Sequence, residues 1–254
     1  MPFPFTDPLF TVEGKVVLVT GAASGLGKAI ATVLSERGCR VILTDRDEAG
    51  LAETEHELPA ETFVCRSDIT REDDVDALIG KSAHHFGRID AVVNSAGLYA
   101  YGPALDMEMD IFRRLIDVNV NGALLLSIAV ARKMGDKGGR IIHLASVSGI
   151  VANVNYAAYA TSKAALVQMV RVLAREWAPR GILVNAIGPA MTETNLSRSY
   201  LADPVFREQT LAAIPLGRFG SAEDLIGTII LLLSPAGAFI TGQTIYVDGG
   251  RTLV

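Results

Sequence analysis

The sequence predicts an α/β protein in which helices cover both faces of a parallel sheet. Two observations carry this prediction: short β-branched runs alternate with longer segments of helical period, and the runs themselves are almost continuously apolar. Strand–helix alternation at this spacing requires crossover connections between parallel strands, and strands buried on both faces are apolar on both. A length of 254 residues, 50% of them hydrophobic, is ample for a buried core and excludes a disordered chain.

Seven strands and six long helices follow from this pattern. The predicted strands are Val16–Thr20, Arg40–Thr44, Thr62–Arg66, Ala91–Asn94, Arg140–Ala145, Leu183–Ile187 and Thr244–Val247. The predicted helices are Gly25–Arg37, Glu48–Glu57, Glu72–Phe86, Asp110–Lys133, Tyr156–Trp177 and Ala222–Leu233. Residues 188–215 show only a weak pattern, which predicts a substrate loop or lid within a single domain spanning residues 1–254.

Composition and charge exclude several classes of function. The 23 basic and 28 acidic residues give a net charge of -5, which argues against a nucleic-acid partner. Two cysteines are too few for a disulfide framework or a structural zinc site, and no metal site is predicted. The first residues do not read as a signal peptide, and the longest apolar run is too short to span a bilayer. We therefore expect a cytoplasmic protein without a membrane partner.

A glycine-rich turn lies between the first predicted strand and the first predicted helix. Glycines in the sequence TGAASGLG let the backbone turn sharply and approach a ligand closely. Free N–H groups and the positive end of the helix dipole then meet at one point, which suits a pyrophosphate. The turn predicts a nucleotide site whose contacts are Gly21, Ser24, Gly25, Leu26 and Gly27.

An acidic residue at the end of the second strand bears on the choice of nucleotide. Asp45 lies 18 residues beyond Gly27. A carboxylate there accepts hydrogen bonds from both hydroxyls of an adenosine ribose and repels a 2′-phosphate, which favours NAD over NADP. The neighbouring Arg46 leaves NADP open, because its guanidinium can pair with that phosphate.

Two further strand ends point to the same edge of the sheet. Asp68 and Ile69 follow the third strand, and Asn94, Ala96 and Gly97 lie at the end of the fourth. Ligands of an open parallel sheet bind outside the carboxyl ends of the strands. The Asp68 side chain suits an adenine amino group, and the small residues Ala96 and Gly97 leave room for a cofactor. We expect all five residues to contact it.

A tyrosine and a lysine supply the candidate reacting group. Tyr159 and Lys163 are spaced i, i+4 and lie on one helical face. An ammonium near a phenol, together with an oxidised nicotinamide ring, lowers the pKa of the phenol and so makes it a usable base. Ser146 ends the fifth strand at the same edge and can bind a substrate oxygen beside the phenol. Asn119, a polar residue in an apolar helix, could hold a water that links Lys163 to solvent.

In this order, the motifs resemble those of the short-chain dehydrogenase/reductase family over essentially the whole chain. The resemblance implies a Rossmann-type, doubly wound sheet of seven parallel strands in the order 3-2-1-4-5-6-7. It implies a catalytic tetrad of Asn119, Ser146, Tyr159 and Lys163, with Lys163 also binding the nicotinamide ribose. It further implies that the apolar helical segments Gly122–Val130 and Ala164–Ala174 pair with their copies in a dimer or tetramer, of which we expect the homotetramer.

The loop after the sixth strand departs from the family pattern at one position. The resemblance implies cofactor contacts from Pro189, Thr192 and Thr194, of which Thr194 matches a Thr that contacts the nicotinamide carboxamide. Ala190 stands where the family usually has glycine. A methyl group at this position restricts the backbone, so the path of the loop is the feature that the substitution affects.

The substrate pocket is predicted to be lined by hydroxyl and amide groups. Candidate substrate contacts are Ser146, Ser148, Asn153 and Tyr159, which suit a polyol, sugar or sugar acid carrying the secondary alcohol or ketone. The tail Arg251–Val254 could reach a neighbouring subunit. Two alternatives remain: a 3-oxoacyl-carrier-protein reductase, which normally uses NADPH, and a non-catalytic nucleotide-binding protein of the same fold. The four tetrad residues argue against the second alternative, because a pure binder needs only the glycines and Asp45.

Overall fold

Seven parallel strands form the middle layer of the molecule. The computed structural model describes residues 7–254; residues 1–6, part of the segment read as lacking a signal peptide, lie outside the described residues. The strands are hydrogen-bonded in the order β3-β2-β1-β4-β5-β6-β7, which confirms the predicted fold. They are β1 Val16–Thr20, β2 Arg40–Thr44, β3 Thr62–Val64, β4 Ala91–Asn94, β5 Gly139–Leu144, β6 Ile182–Pro189 and β7 Thr244–Val247.

Helices pack on both faces of this sheet because alternate residues of each strand point to opposite sides. In β1, Val16 and Leu18 join one apolar core and Val17 and Val19 join the other, all fully buried. Helices α3, α5 and α6 cover the first face, while α1, α2 and α9 cover the second. The α-helices of residues 7–254 are α1 Gly25–Glu36, α2 Glu48–Glu57, α3 Glu72–Phe86, α4 Met109–Ile116, α5 Ala123–Met134, α6 Ala157–Trp177, α7 Asn195–Leu201, α8 Pro204–Ala212 and α9 Ala222–Leu233.

The predicted helix Asp110–Lys133 is not a uniform α-helix. Between α4 and α5, residues Asp117–Gly122 form a π-helical segment with a wider turn. Gly122 in this segment faces Ile69, where a side chain would contact the Ile69 carbonyl oxygen at 3.1 Å. Periodicity alone cannot distinguish one wide turn from a regular helix, and such turns occur frequently at functional sites.

Residues 188–215 are more ordered than their weak sequence pattern predicts. The pattern predicted no helix here, yet the segment contains two short helices, α7 and α8, each with a local cap. Asp203 accepts a hydrogen bond from the Val205 amide at 2.9 Å and is followed by a proline in the first turn of α8. A separate apolar cluster, which we call the lid cluster, holds this region together; it consists of Leu201, Phe206, Ile214 and Phe219.

One helical run in the described residues, Met109–Lys137, is long and apolar enough to cross a membrane by length and composition alone. Half of its most apolar window is buried inside the fold, as in the core helix of a globular protein. The expected absence of a membrane partner stays a prediction.

Candidate active site

A cleft of about 900 Å³ opens along the carboxyl edge of the sheet and extends beneath α7 and α8. Its position agrees with the general rule for ligand sites in open parallel sheets. Eighteen of the twenty residues predicted for the site line this cleft, while Asn94 and Asn119 lie behind it. The lining residues are Gly21, Ser24, Gly25, Leu26, Gly27, Asp45, Asp68, Ile69, Ala96, Gly97, Ser146, Ser148, Asn153, Tyr159, Lys163, Pro189, Thr192 and Thr194.

The glycine-rich turn has the geometry of a phosphate cradle. Gly21 and Gly25 have φ of +67° and +56°, a region that side chains rarely adopt. A Cβ on Gly27 would collide with the carbonyl oxygen of Gly21, so the turn closes on α1 only because this position carries no side chain. Ser24 makes no capping hydrogen bond with the described residues, which leaves the N-terminus of α1 open to a ligand.

Two carboxylates and one free hydroxyl mark the adenosine end of the cleft. Asp45 accepts hydrogen bonds from the amides of Ala23 at 3.3 Å and Asp47 at 3.1 Å, so its carboxylate is fixed beside the glycine turn. Ser67, which sequence reasoning missed, is 3% exposed and lines the cleft, and its Oγ has no partner within residues 7–254. An unsatisfied buried hydroxyl is costly unless a ligand satisfies it. The residues at this end therefore fit the adenosine half of a dinucleotide.

Asp68 is held in its ionised form by its own turn. Its Oδ1 accepts hydrogen bonds from the Thr70 amide at 3.0 Å and the Thr70 hydroxyl at 2.7 Å. Burial acts to raise the pKa of Asp68, but these hydrogen bonds, together with Arg46 and Arg71, outweigh burial and lower it. A carboxylate at this position remains an acceptor, as contact with an adenine amino group requires.

Asn94 was predicted to contact the cofactor, but it does not line the cleft. Its side chain forms hydrogen bonds inside the sheet instead. Its Oδ1 accepts a hydrogen bond from the Thr20 hydroxyl at 2.6 Å, and Thr20 in turn accepts one from the Ala96 amide at 3.0 Å. The residue therefore positions the turn at the end of β4, which does line the cleft.

The side-chain nitrogen of Asn94 faces a buried histidine in the core. Asn94 Nδ2 and His143 Nδ1 are 3.2 Å apart, and His143 Nε2 is 3.1 Å from Ser127 Oγ. Since Ser127 donates its own proton to the Ala123 carbonyl oxygen at 2.6 Å, His143 donates through Nε2 and accepts through Nδ1. Burial lowers the pKa of His143 to about 3, with a smaller contribution from Lys163. This neutral sequence of bonds, from Ala96 to Ala123, is called the buried hydrogen-bond chain below.

Asn119 also acts from behind the cleft. Its Oδ1 accepts from the Leu98 amide at 2.7 Å, and its Nδ2 donates to the Leu98 carbonyl at 2.9 Å and to Ser162 Oγ at 2.9 Å. The π-helical segment places the amide so that it pairs with both backbone groups of Leu98. Asn119 therefore fixes the loop that begins at Gly97. That Asn119 holds a water linking Lys163 to solvent stays a prediction.

Ser146, Tyr159 and Lys163 meet in the middle of the cleft, as predicted. Lys163 is 5% exposed, and its Nζ donates to the Leu144 carbonyl at 2.7 Å and lies 5.7 Å from the centre of the Tyr159 ring. Burial lowers the pKa of Lys163 to about 8. At neutral pH the side chain is therefore mostly an ammonium, although less firmly than an exposed lysine.

The pKa of Tyr159 is governed by burial in the protein alone, whereas the predicted lowering also involves an oxidised nicotinamide ring and stays a prediction. Burial raises it to about 12, and a hydrogen bond from Ser146 opposes this in part. The Lys163 ammonium was expected to lower this pKa, but Lys163 Nζ lies over the ring and is bonded to Leu144. Ser146 is thus a side chain that acts to lower the pKa of Tyr159 and favours the phenolate.

Aromatic side chains form the substrate end of the cleft. Tyr156 contacts Tyr99 and Tyr101 edge to face, and these three residues are called the tyrosine wall below. Tyr99 also donates a hydrogen bond to Tyr156 at 3.0 Å. The Tyr99 ring lies 4.9 Å from the Tyr159 ring, which limits where the reacting phenol can point. Tyr200 packs against this wall from the lid, at 4.7 Å from Tyr99.

The segment from Pro189 to Thr194 crosses from the sheet to the lid beside the glycine turn. Ala190 does not need the freedom of glycine, because Asn155 is the only non-glycine residue among 7–254 with positive φ. Thr192 pairs with Gly220 in a short parallel bridge. The Cβ of Thr194 would lie 3.7 Å from a Cβ on Gly25, so the lid begins against the phosphate cradle, as a cofactor contact from Thr194 requires.

Three features lie at one edge of the sheet: a glycine cradle, an acidic adenosine end and a buried Ser–Tyr–Lys group. Together they define a class of protein, the nicotinamide-dependent oxidoreductases. A family model described as enoyl-(acyl carrier protein) reductase matches residues 21–252. The chain belongs to the short-chain dehydrogenase/reductase family.

Relatives with different substrates match this chain about equally well. It is 36% identical over 254 residues to an NAD-dependent glycerol dehydrogenase of Listeria innocua, with 100% of both chains covered. It is 37% identical over 243 residues to 3-oxoacyl-(acyl-carrier-protein) reductase of Escherichia coli, covering 95% of this chain and 99% of that protein. A gluconate 5-dehydrogenase from Burkholderia cenocepacia, solved with NADP and tartrate, has a TM-score of 0.92 and 32% identity, covering 97% and 98% of the two chains.

Proposed function

We propose that this chain is an NAD-dependent dehydrogenase that interconverts a secondary alcohol and a ketone on a polyol, sugar or sugar acid. The observation that carries the proposal is the chemistry of the cleft beyond Ser146 and Tyr159. Hydroxyl and amide side chains line it, namely Tyr101, Ser148, Asn153, Asn155, Tyr156, Gln209 and Thr210. Such groups match a substrate with several hydroxyls better than a hydrocarbon.

The residues divide the chemical work among themselves. In alcohol oxidation, Tyr159 Oη takes the hydroxyl proton, and in reduction it returns a proton to the new oxygen. Ser146 acts to lower the pKa of Tyr159 and lines the same cleft, where it would bind the substrate oxygen. Lys163 would hold the nicotinamide ribose, and Asn119 fixes the Gly97–Leu98 backbone. A nicotinamide cofactor, when bound, takes a hydride from the alcohol carbon or returns it.

The preference for NAD rests on Asp45. Its carboxylate is fixed by two backbone amides, so it cannot easily turn away from a 2′-phosphate. The glycerol dehydrogenase relative is described as NAD-dependent, whereas the gluconate dehydrogenase structure holds NADP. Arg46, which is exposed and lines the cleft, is the residue that would accept NADP. An Asp45→Ser variant should therefore gain activity with NADP relative to NAD.

Turnover of a substrate panel tests the proposal. We would measure NADH formation with polyols, sugar acids and simple secondary alcohols, offering NAD and NADP separately. Tyr159→Phe should lower the rate about 100- to 10,000-fold. Tyr156→Phe removes a hydroxyl from the cleft lining but not from the reacting group, so it should lower the rate far less than Tyr159→Phe. Silence across the panel, or full activity in Tyr159→Phe, would leave a non-catalytic nucleotide-binding protein as the better description.

A second candidate is reduction of a 3-oxoacyl thioester. The relative from Escherichia coli favours it, since its identity equals or exceeds that of the glycerol dehydrogenase. Oxidation of NADPH by an acetoacetyl thioester, faster than NADH formation from any member of the panel, would replace the leading proposal.

We further propose a cytoplasmic homotetramer. On α6, one of the two helices expected to form subunit contacts, the apolar side chain of Val172 is 48% exposed, and Phe239, outside these helices, is fully exposed. Light scattering should give four times the mass of one chain. A monomeric mass would contradict the tetramer without affecting the proposed activity.

A further inference from the structure

We infer that Tyr99 couples the lid to the reacting phenol, so that Tyr99 and Tyr200 together act as positioning residues for Tyr159. The inference rests on the proposed function, because it concerns the group that moves the proton in the proposed reaction. Tyr99 lies on the loop after β4 and lines the cleft, and Tyr200 lies on α7 in the lid.

The rings of these three residues form a continuous series from the lid to the reacting group. The ring centres of Tyr200 and Tyr99 are 4.7 Å apart with an angle of 81° between the planes, and those of Tyr99 and Tyr159 are 4.9 Å apart at 71°. Both contacts are edge to face, an arrangement that aromatic rings prefer. Among residues 7–254, Tyr99 is the aromatic residue that contacts both Tyr159 and the lid. A shift of Tyr200 is therefore passed to Tyr159 through Tyr99.

The backbone beside Tyr99 is tied to the backbone of Tyr159 by two buried side chains. Asn119 binds both backbone groups of Leu98, which directly precedes Tyr99. Its Nδ2 also donates to Ser162 Oγ at 2.9 Å. Ser162, which is fully buried, donates in turn to the carbonyl oxygen of Tyr159 at 2.8 Å. These hydrogen bonds and the ring contact form a closed circuit, so the two rings are held against each other from their backbones.

The hydroxyl of Tyr99 is engaged elsewhere, so the coupling depends on its ring. This hydroxyl donates a hydrogen bond to the hydroxyl of Tyr156 at 3.0 Å. Burial raises the pKa of Tyr99, and the hydrogen bond to Tyr156 raises it further. The Tyr99 phenol therefore stays protonated, and what it contributes to Tyr159 is the contact of its ring.

Tyr101 provides a matched comparison in the same tyrosine wall. Its ring contacts those of Tyr156, Tyr200 and Phe206, with centres 5.4, 6.3 and 5.0 Å apart. It makes no ring contact with Tyr159 in the part of the chain that the structure describes. Removal of either ring opens the substrate end of the cleft, but removal of Tyr99 also frees the reacting phenol.

Kinetics of single and double variants test the coupling. We would measure kcat and KM with the best substrate of the panel for Tyr99→Ala, Tyr200→Ala, the double variant and Tyr101→Ala. Tyr99→Phe keeps the ring and removes only the hydroxyl. Tyr99→Leu keeps apolar bulk without a ring, and it replaces Tyr99→Ala in every comparison if the alanine variant does not fold.

A second measurement needs no turnover. The chain has six tyrosines, so protein with isotope-labelled tyrosine rings gives few signals in a nuclear magnetic resonance spectrum. The signal that is missing in Tyr159→Phe identifies Tyr159. Its chemical shift reports the position of the neighbouring rings, because an aromatic ring current changes the local magnetic field.

The expected result is a loss of kcat that is transmitted through Tyr99. Tyr99→Ala should lower kcat about 10- to 100-fold, because a small misplacement of the reacting group is costly. Tyr200→Ala should lower kcat about 5- to 10-fold in wild type but less than about twofold in the Tyr99→Ala background, since residues that act through a shared contact are not additive. Tyr99→Phe should recover most of the lost kcat. Tyr101→Ala should act mainly on KM.

The spectra should show the same division. The Tyr159 signal should shift in Tyr99→Ala and in Tyr200→Ala, and it should stay in place in Tyr101→Ala. A Tyr159 signal that stays in place in Tyr99→Ala, or additive losses of kcat in the double variant, would overturn the inference. Losses confined to KM in Tyr99→Ala would also overturn it, because they would assign Tyr99 to substrate contact alone.

Failure of the proposed function would be recognised separately. If wild type turns over no compound of the panel, the proposed function fails and the Tyr159 signal decides the inference. A shift in Tyr99→Ala and Tyr200→Ala but not in Tyr101→Ala then supports the coupling, and any other pattern overturns it.

Discussion

The two ends of the cleft are built in different ways. At the cofactor end, the glycine cradle and the strand ends are fixed by backbone contacts and by the buried hydrogen-bond chain, which ties Ala96 into the sheet. At the substrate end, the tyrosine wall and the lid meet through side chains, and the lid has its own small apolar cluster. The first end cannot change without disturbing the sheet. The second can change its side chains while the sheet stays intact, as relatives with different substrates on one fold require.

We expect the largest loss of activity from a substitution at Ser146, where the two ends of the cleft meet. Removing the hydroxyl in Ser146→Ala should lower the rate of alcohol oxidation about 100- to 1,000-fold, as loss of a hydrogen-bond donor to a reacting oxygen does. Because Ser146 lowers the pKa of Tyr159, its loss raises that pKa further. The rising limb of the rate profile should therefore move to higher pH.

Ser148→Ala is the control for this prediction. Ser148 contacts Ser146 through its backbone amide at 3.1 Å, and its hydroxyl is not needed for that bond. A pH profile that stays in place in Ser146→Ala, or that moves equally in Ser148→Ala, would contradict the assigned role.

The rigidity of the cofactor end predicts a large loss from one methyl group. Gly27→Ala places a Cβ against the Gly21 carbonyl oxygen and forces α1 away from the turn. We expect NADH to bind about 100-fold more weakly in a fluorescence titration. Gly80→Ala is the matched variant, since a Cβ on this α3 residue meets open space among residues 7–254. It should bind NADH normally and be more stable by about 1 kcal/mol. Normal NADH binding by Gly27→Ala would show that the turn is less constrained than the structure indicates.

A change in the lid cluster should spare the cofactor end. Phe206 is 9% exposed and packs near Tyr101, with ring centres 5.0 Å apart. Phe206→Ala should raise the KM for the alcohol substrate about 10-fold by misplacing the lid, with NADH binding unchanged. Val205→Ala, at a neighbouring position that is 62% exposed, should do neither. Equal weakening of NADH binding in Phe206→Ala would mean that the two ends are coupled.

The last prediction concerns the stability of the protein in mild acid, where the buried hydrogen-bond chain leaves turnover and NADH binding at neutral pH unaffected. Burial lowers the pKa of His143 to about 3 in the folded state, below the ordinary value of 6.5. Below pH 6.5 the unfolded chain therefore binds a proton that the folded protein does not, and stability falls by about 1.4 kcal/mol per pH unit until pH approaches 3. His143→Gln keeps one acceptor and one donor but does not titrate. Melting temperatures between neutral and mildly acidic pH should fall less steeply in this variant; parallel slopes would show that other groups dominate.

The cofactor end of the cleft could be predicted from the sequence more completely than the substrate end. All seven strands and the cofactor end were predicted because buried strands and glycine turns leave local signals, although β3 ends at Val64 rather than at Arg66. The helices α7 and α8 were missed, because they are short and depend on the lid cluster. Ser67 was missed because a single serine carries no pattern; only its burial without a partner reveals it.

Residue roles were harder to predict than residue positions. Asn94 was expected to contact the cofactor and Asn119 to hold a water near Lys163. The amide of Asn94 instead bonds within the sheet, and that of Asn119 bonds the Leu98 backbone. The direction in which a side chain points depends on the neighbouring element, which the sequence does not state. Arg251 shows the converse: far from Asn153 in sequence, it acquires its contact only when β7 reaches the same sheet edge.

The π-helical segment has a consequence for the length of the chain. An α-helix advances about 100° per residue, so deleting one residue between Asp117 and Gly122 would let this turn relax to regular α geometry. Either α5 would then rotate and withdraw Leu126 and Val130 from the core, or Asn119 would lose its hydrogen bonds to the Leu98 backbone. The extra residue in the wide turn therefore lets α5 pack its apolar side chains in the core while Asn119 still reaches the Leu98 backbone. Single-residue deletions here should be tolerated far less well than in the exposed connections of the lid.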